Sequence, residues 1–269
     1  EKPEKVLKHL EKSLSLFEEH GNQRNISSVV YNMAIENYRL RNVAKARELA
    51  EYSLSFMRQL NDKVSIARRV TALAVWDMVE EEFERASDYL AEAQMLSQEM
   101  GEEDHFQYAL YIQGILFTIK GEYESAKATL HKSLELAHKL SKLDSVASCH
   151  SNLGQLFLMD GDVDGARPHI VQSLETLQGS VFQPWATMMV YANYLWHLGD
   201  LEACAPIVAT MSIEFEQMER GEAVNNHYFL RPLIYRVKQK LGETNWQSAL
   251  KAAEGVLLKD HFEQAINSI

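Results

Sequence analysis

Residues 114–133 read GILFTIKGEYESAKATLHKS, and residues 154–173, forty positions later, read GQLFLMDGDVDGARPHIVQS. Each stretch begins with Gly and has a second Gly, followed by an acidic residue, seven positions on. Each also carries Ala twelve positions and Ser nineteen positions after the first Gly. Two such stretches at a fixed distance indicate an internal repeat, and a period of this length is typical of stacked-repeat proteins.

Small residues continue the forty-residue period through most of the chain. The first series consists of Ala34, Ala74, Gly114, Gly154 and, after a two-residue deletion, Ala192. The second series begins at Val6 and continues with Ala46, Ala86, Ala126, Ala166 and Cys204. The third series consists of Ser13, Ser53, Ala93, Ser133 and Ser173. Small side chains are needed where antiparallel helices approach closely, and the apolar spacing of three and four between them also predicts helices.

Short turns divide each repeat into two helices. They are marked by Arg41-Asn42, Glu81-Glu82, Gly121-Glu122, Gly161-Asp162 and Gly199-Asp200. Gly suits the left-handed residue that ends a helix, and an acidic residue favours the start of the next one. We therefore predict one continuous domain of stacked helical hairpins over residues 1–269. Its predicted parts are a partial repeat at 1–22, repeats at 23–62, 63–102, 103–142, 143–180 and 181–220, and a capping hairpin with a short helix at 221–269.

Small residues spaced twelve and then seven apart in a helical hairpin resemble the tetratricopeptide repeat, and the resemblance covers about residues 1 to 218. It implies an all-α, right-handed superhelix of stacked antiparallel helical hairpins. Three features depart from that family. The period is forty residues instead of about 34, the closing Pro is missing, and the aromatic residue of the first helix survives only as Phe117 and Phe157.

Forty-residue versions with a Gly-Asp turn resemble the C-terminal sensor regions of bacterial STAND ATPases and LuxR-type transcriptional regulators. The tail is similar too, with a last hairpin at residues 241–255 and a short helix that starts with acidic character at residues 258–266. This resemblance implies a sensor or partner-binding part, with nucleotide and DNA sites upstream. The first residue is Glu1 and not Met, so we expect a fragment of a longer protein.

Composition narrows the classes of partner. The formal net charge is −11, and a net-acidic surface opposes the counterion release that drives proteins onto nucleic acid. Only two cysteines occur, which favours a reducing compartment, and we expect the cytoplasm. No apolar run approaches the roughly 20 residues of a membrane span. We expect no direct binding to nucleic acid or membrane.

Motifs for catalysis are missing from the sequence. It has no phosphate-binding Gly-rich loop, no nucleophile elbow and no His pair at the spacing that places two imidazoles on one helical face. Cys149 precedes His150, but adjacent helix positions point about 100° apart, which is poor geometry for a thiolate–imidazole pair. A buried, structural Cys149 is expected. We therefore predict no enzyme, no catalytic residue, no cofactor and no metal.

The tetratricopeptide resemblance implies that the first helix of each hairpin lines a concave groove. Positions six and three before the small residue of the first series, and one and four after it, would point into this groove. The resulting candidate ligand- or partner-binding residues are Tyr31, Tyr38, Arg68, Met78, Tyr108, Tyr111, Gln155, Met189, Asn193 and Trp196. Aromatic side chains mixed with single polar groups are typical of recognition surfaces. The alternative is that the tyrosines and Trp196 fill gaps between helices. Trp76 and Trp246 are expected in the core.

Three functions remain open. The preferred hypothesis is a regulatory module that binds a protein, a peptide or a small-molecule effector in the groove, or a passive scaffold with the same fold. The second is a peptide-sensing regulator of the Rap type, which implies a row of Asn residues along the groove. Asn193 is in phase, while Asn152 and Asn32 are not. An enzyme would need titratable groups converging in the groove. Exposed repeat ends could also pair two copies into a homodimer.

Overall fold

The computed structural model describes residues 3–178, 185–217 and 226–268 of the chain. Within these ranges the regular structure consists of α-helices and one π-helical segment, with no β-strand. The all-α prediction is confirmed. No helix in this part of the chain is long and apolar enough to span a membrane.

Helices of similar length follow one another with short turns through the repeated part. The α-helices are α1 Pro3–Glu19, α2 Gln23–Arg39, α3 Val43–Gln59, α4 Lys63–Val79, α5 Phe83–Met100, α6 Glu103–Lys120, α7 Tyr123–Lys139, α8 Leu143–Asp160, α9 Val163–Leu177, α10 Trp185–Leu198, α11 Leu201–Gln217, α12 Arg231–Leu241, α13 Glu243–Ala253 and α14 Leu258–Ser268. The π-helical segment is Asn226–Leu230. The predicted junctions at 180/181 and 220/221 lie outside the described residues.

Contacts divide the chain into two compact units. The first holds the described residues as far as Ala109 and the second holds those from Leu110 onward, so the boundary lies within α6. In the first unit, α2 packs against α3, α4 packs against α5, and α3 also contacts α4. In the second, α8 packs against α7, α9 and α10, and α11 contacts α10, α12, α13 and α14. The single continuous domain of the sequence stays a prediction.

The turns repeat one backbone conformation every twenty residues. The residue with positive φ that follows each helix is Gly21, Arg41, Asn61, Glu81, Gly101, Gly121, Ser141 or Gly161, and then Gly199 after the deletion. Such a left-handed residue ends a helix by letting its last carbonyl groups find partners. One helix of seventeen or eighteen residues and one such turn therefore make half of the forty-residue repeat.

Side-chain caps start several of the helices. The carboxylate or amide oxygens of Asn22, Asp62 and Asp162 accept hydrogen bonds from backbone N–H groups three residues later, at 3.1, 3.1 and 2.8 Å. Each cap satisfies one of the amide groups that the first turn of a helix leaves without a partner. Among the turn residues marked from the sequence, Asp162 and Asp200 form such caps, whereas Asn42, Glu82 and Glu122 form none.

The small residues of the first two series lie where paired helices meet. The fully buried alanines among them, each 0% exposed, are Ala34, Ala46, Ala74, Ala86, Ala126, Ala166 and Ala192. A Cβ atom added to Gly114 would stand 2.6 Å from both Cγ and Cδ2 of Leu130, far inside contact distance. At Gly154 the nearest atom would be Cγ1 of Ile170 at 3.0 Å. Side-chain size at these positions therefore sets how closely the helices pack.

Serines of the third series form buried hydrogen bonds across the hairpins. The Ser53 hydroxyl donates to the Ser27 carbonyl at 2.8 Å, and the Ser27 hydroxyl donates to the Ser53 carbonyl at 2.9 Å. In α9, the Ser173 hydroxyl donates to the Ala147 carbonyl of α8 at 2.9 Å. A Ser here is small enough for close packing and also joins the two helices.

Apolar contacts between neighbouring helices complete each core. In the first unit, the rings of Tyr38 and Trp76 stack in parallel with their centroids 4.6 Å apart. In the second, Leu130 and Leu153 are fully buried, and Trp246 of α13 is 3% exposed. The predicted core positions of Trp76 and Trp246 are confirmed, and Cys149 is buried as expected.

We expect Gly114→Ala to destabilise the protein. Leu130 is fully buried, so it has no solvent into which to move when the added methyl group meets it, and overpacking costs about 1–3 kcal/mol. Replacing Gly by Ala within a helix returns up to about 1 kcal/mol. The net loss, about 1 kcal/mol, is measured as the free energy of unfolding in urea. Gly154→Ala is the matched variant with the smaller expected loss. A stability gain at position 114 would show that the hairpin can open there.

Candidate functional site

The first unit brings Tyr31 against a buried arginine that the sequence did not single out. Arg69 of α4 is 6% exposed, and its guanidinium lies over the Tyr31 ring of α2, with Cζ 5.0 Å from the ring centroid. Its Nε donates to the Ser53 hydroxyl at 2.8 Å, and Nη1 donates to the Ser65 carbonyl at 3.2 Å. Burial raises the pKa of Tyr31 to about 12, although the Arg69 charge opposes this. Tyr31 therefore remains a neutral phenol.

Two further predicted residues lie near this arginine. Tyr108 of α6 is 45% exposed, and its ring lies 6.2 Å from that of His105. His105 Nε2 shares a 3.1 Å hydrogen bond with the Thr71 hydroxyl of α4. Arg68 is exposed on α4, and its charge helps to lower the pKa of His105, after the larger effect of burial.

Five of the ten predicted groove residues are buried, namely Tyr38, Met78, Met189, Gln155 and Asn193. Met78 is 0% exposed, Met189 is 1% exposed, and Tyr38 is 9% exposed in its stack with Trp76. That these residues face a groove stays a prediction, but little of their side chains is exposed. The reason is that neighbouring helices cover most of the surface of the first helices: α4 buries ten of its seventeen residues.

The second unit joins three predicted residues into one network, here called the Arg236 cluster: Gln155, Asn193, Trp196 and Arg236. Asn193 of α10 donates through Nδ2 to Oε1 of Gln155 on α8 at 3.1 Å. Arg236 of α12 donates through Nη2 to Oδ1 of Asn193 at 3.1 Å. The same guanidinium lies over the Trp196 ring, with Cζ 5.5 Å from the centroid. Residues from three helices thus fix one cation.

Donor and acceptor roles in the Arg236 cluster follow from its charge. A guanidinium has no acceptor, so the Asn193 oxygen must face Arg236 and the Asn193 amide nitrogen must face Gln155. Asn193 and Gln155 are 4% and 2% exposed, and a buried amide with unsatisfied groups is costly. The two amides therefore act as positioning residues that hold the guanidinium against Trp196.

Arg236 and Arg69 have no carboxylate partner among the described residues. Other arginines in this acidic chain do: Arg47 and Arg85 both pair with the fully buried carboxylate of Asp77. Burial lowers the pKa of both Arg69 and Arg236, yet an arginine remains charged at neutral pH. Each unit thus holds a fixed cation beside an aromatic ring, and no carboxylate among the described residues bonds to it, although the Asp62 charge acts on Arg69.

A cavity adjoins the Arg236 cluster. It has a volume of about 250 Å³ and is lined by Trp196, Gly199, Leu201 and Lys240. Lys240 lies one helical turn after Arg236 on α12, which adds a second cation. The lining combines an aromatic ring, an apolar side chain and the cation of Lys240, with Arg236 on the Trp196 ring beside it, and this suits a group that is both acidic and partly apolar.

The remaining predicted residue, Tyr111, lies on α6 and accepts a 2.8 Å hydrogen bond from Nδ2 of Asn152 on α8. That nitrogen also donates to the Ser148 carbonyl at 3.0 Å. Asn152 was expected to be out of phase with the groove, and its amide is used within the protein. It therefore does not extend Asn193 into a row of free amides.

Arg236 could have been found from the sequence. One more forty-residue step from Ala192 leads to Pro232, and the groove position four residues later is Arg236. No comparable signal marks Arg69, which lies one position outside the groove offsets. Its burial follows from contacts with α2 and α3 that a single helix does not show.

A pair of histidines lies between α8 and α9. Nδ1 of His150 and Nδ1 of His169 share a hydrogen bond at 3.1 Å, and the His169 ring stacks on Phe157 with centroids 5.3 Å apart. Burial and neighbouring positive charge lower the pKa of each imidazole to about 4. Among the described residues, no group of three or more His, Cys, Asp or Glu side chains is placed to hold a metal.

Comparison with solved structures shows the fold. BtubC (BKLC) from P. vanneervenii is 16% identical, with a TM-score of 0.64 over 93% of each chain. A Rap protein complexed with Competence and Sporulation Factor is 15% identical, with a TM-score of 0.58 over 97% of this chain and 80% of the Rap chain. Both are similar in fold. They support a tetratricopeptide-like helical-repeat architecture, and no protein-family model or curated protein sequence matches the chain.

The histidine pair predicts a loss of stability in mild acid. Because the folded-state pKa values, about 4, lie below the usual 6.5, the unfolded chain binds more protons between these limits. The contribution of the pair is therefore present above pH 6.5 and is lost as the pH falls toward 4. We expect His169→Asn, which can keep the hydrogen bond, to show a shallower fall in melting temperature than the unchanged protein.

The exposed His9 provides the control. His9→Asn should follow the unchanged protein across the same pH range. If His169→Asn and His9→Asn lose stability equally between pH 6.5 and 4, the pair does not titrate as described.

Proposed function

We propose that the chain is a protein- or peptide-binding module that holds an acidic group of its ligand at the Arg236 cluster. The observation that carries this proposal is the guanidinium of Arg236, fixed by Asn193 and Trp196 without a carboxylate partner among the described residues. A charge that is already positioned loses little conformational entropy on binding. A carboxylate is the group that matches it best.

The surroundings of Arg236 favour a ligand with an apolar part beside the acid. The cavity of about 250 Å³ places Leu201 and the Trp196 ring next to Lys240. A peptide that ends in, or contains, an acidic residue next to an apolar one would satisfy both surfaces. The Rap protein of similar fold is complexed with Competence and Sporulation Factor, and this supports a ligand of peptide or protein class.

The first unit offers the same chemistry a second time. Among the described residues no carboxylate bonds to Arg69, which lies over Tyr31 and is 6% exposed, so the exposed Arg68 and the half-exposed Tyr108 are the groups there that a ligand can reach. Each unit, taken by itself, thus has a cation beside an aromatic ring. We therefore assign the ligand-binding role to the first helices of the hairpins, with Arg236 as the strongest single contact.

The tail resemblance supports a setting for this activity. Residues 241–255 and 258–266 resemble the closing segment of bacterial STAND ATPases and LuxR-type regulators, and the module would then be the sensor part of such a protein. Binding at the Arg236 cluster would couple α8, α10 and α12, because all three helices contribute to it. A passive scaffold would bind without that coupling.

The test uses fluorescein-labelled hexapeptides with randomised apolar positions and one Glu, and a matched set in which Gln replaces Glu. Binding is followed by fluorescence polarisation. We expect peptides with Glu to bind and Arg236→Gln to weaken them about 10- to 100-fold, because a hydrogen bond to a charged group contributes about 1.5–3 kcal/mol. Arg167→Gln, which changes an exposed arginine on α9, should leave the affinity unchanged.

Two results would count against this function. One is equal binding of the Glu and Gln peptides. The other is an Arg236→Gln protein that retains its helical circular dichroism and binds as tightly as the unchanged chain. Either would move the ligand site away from the Arg236 cluster and favour a scaffold that works through another face.

A further inference from the structure

A second and larger cavity lies among the C-terminal helices of the second unit. It has a volume of about 390 Å³ and is lined by residues of α11, α13 and α14, by Leu241 at the end of α12, and by Val256. This volume falls within the range of about 300–1,000 Å³ that is usual for small-molecule sites. The cavity shares Leu201 with the smaller one beside Trp196.

Small side chains keep this space open. Ala205 and Pro206 of α11 and Ala249 and Ala252 of α13 all line it. In the repeated hairpins, facing small residues allow helices to close on each other. Here the same residue types border a cavity, so their methyl groups form an apolar wall that a ligand can cover.

The polar groups of the lining favour a hydrogen-bond donor. Asn245 donates through Nδ2 to the Leu241 carbonyl at 3.0 Å, which leaves its side-chain oxygen as an acceptor. Thr210 and His261 satisfy each other through a 2.9 Å hydrogen bond. Burial lowers the pKa of His261, so this imidazole is neutral at pH 7. Glu202 is then the single charged side chain of the lining.

Glu202 has no ion-pair partner among the described residues. Lys240 lines the smaller, neighbouring cavity and not this one. The two cavities therefore have opposite charge on either side of Leu201. We infer that the larger cavity binds a small amine: a protonated nitrogen at Glu202 and Asn245, with an apolar body against Ala205, Ala249 and Ala252. This site is separate from the acid-binding Arg236 cluster and does not depend on it.

Three ligands of nearly equal shape test the charge. They are 2-phenylethylamine, 2-phenylethanol and 3-phenylpropanoate, which are cationic, neutral and anionic at pH 7. Binding is measured by ligand-observed NMR saturation transfer, which detects the millimolar affinities expected of such small molecules. We expect the amine to bind about threefold or more tightly than the alcohol, and the anion to bind most weakly.

Two variants test the location. Glu202→Gln should make the amine and the alcohol bind equally, while Glu254→Gln, an exposed acid outside the lining, should not. Ala252→Leu should weaken all three ligands by filling the cavity. Ser248→Leu adds the same side chain on α13 outside the lining and should have no effect.

The proposal is overturned if the alcohol binds the unchanged protein as tightly as the amine, or if no ligand binds at about 10 mM. It is also overturned if Ala252→Leu leaves amine binding intact. None of these results depends on acidic peptides, so the amine site and the Arg236 cluster can fail independently.

Discussion

The close approach of two helices at small, fully buried residues is the constraint on which the rest of the structure depends. Ala34 and Ala46 have no exposed surface, and at Gly114 even one methyl group would collide with Leu130. Once the helices are this close, the third-series serines can reach across and bond to the opposite backbone. Close packing also covers most of each first helix, so few side chains remain to contact a ligand.

Arg69 and Arg236 differ from the arginines that pair with carboxylates in the described part of the chain. Asp77 and Glu80 together compensate the charges of Arg47 and Arg85. Arg69 and Arg236 instead depend on neutral partners, namely hydroxyl, carbonyl and amide oxygens and the faces of aromatic rings. Neutral partners hold a guanidinium in place and leave its charge available. Under the proposed function, Arg236 is the cation that an acidic ligand group would meet.

The fold was predictable because each small residue and each turn residue has a local steric meaning. Gly121 and Gly161 end helices with positive φ, as their position in the repeat required. The site was predictable only in part. Asn193 and Trp196 do meet at one cation, because their offsets from Ala192 place them on related faces of α10. Met78 and Met189 are buried, since burial depends on the neighbouring helices and not on phase within one helix.

The missed residues have a common physical cause. Arg236 becomes important only through contact between α10 and α12, which lie 43 positions apart at Asn193 and Arg236. His150 and His169 meet only because α8 packs against α9. The forty-residue period predicts only the residues and contacts that all the hairpins share. These contacts occur where one hairpin differs from the others, so the shared pattern cannot reveal them.

The uniform turns also bear on how such a chain can evolve. Because each helix from α1 to α8 ends in the same left-handed turn, duplication or loss of forty residues before α8 would preserve the alternation of helix and turn. Between α8 and α12 it would not be neutral, since an added hairpin would separate Gln155 and Asn193 from Arg236. Changes in the number of repeats are therefore tolerated before α8 and restricted between α8 and α12. In that segment the repeat number is tied to the hydrogen bonds of the Arg236 cluster.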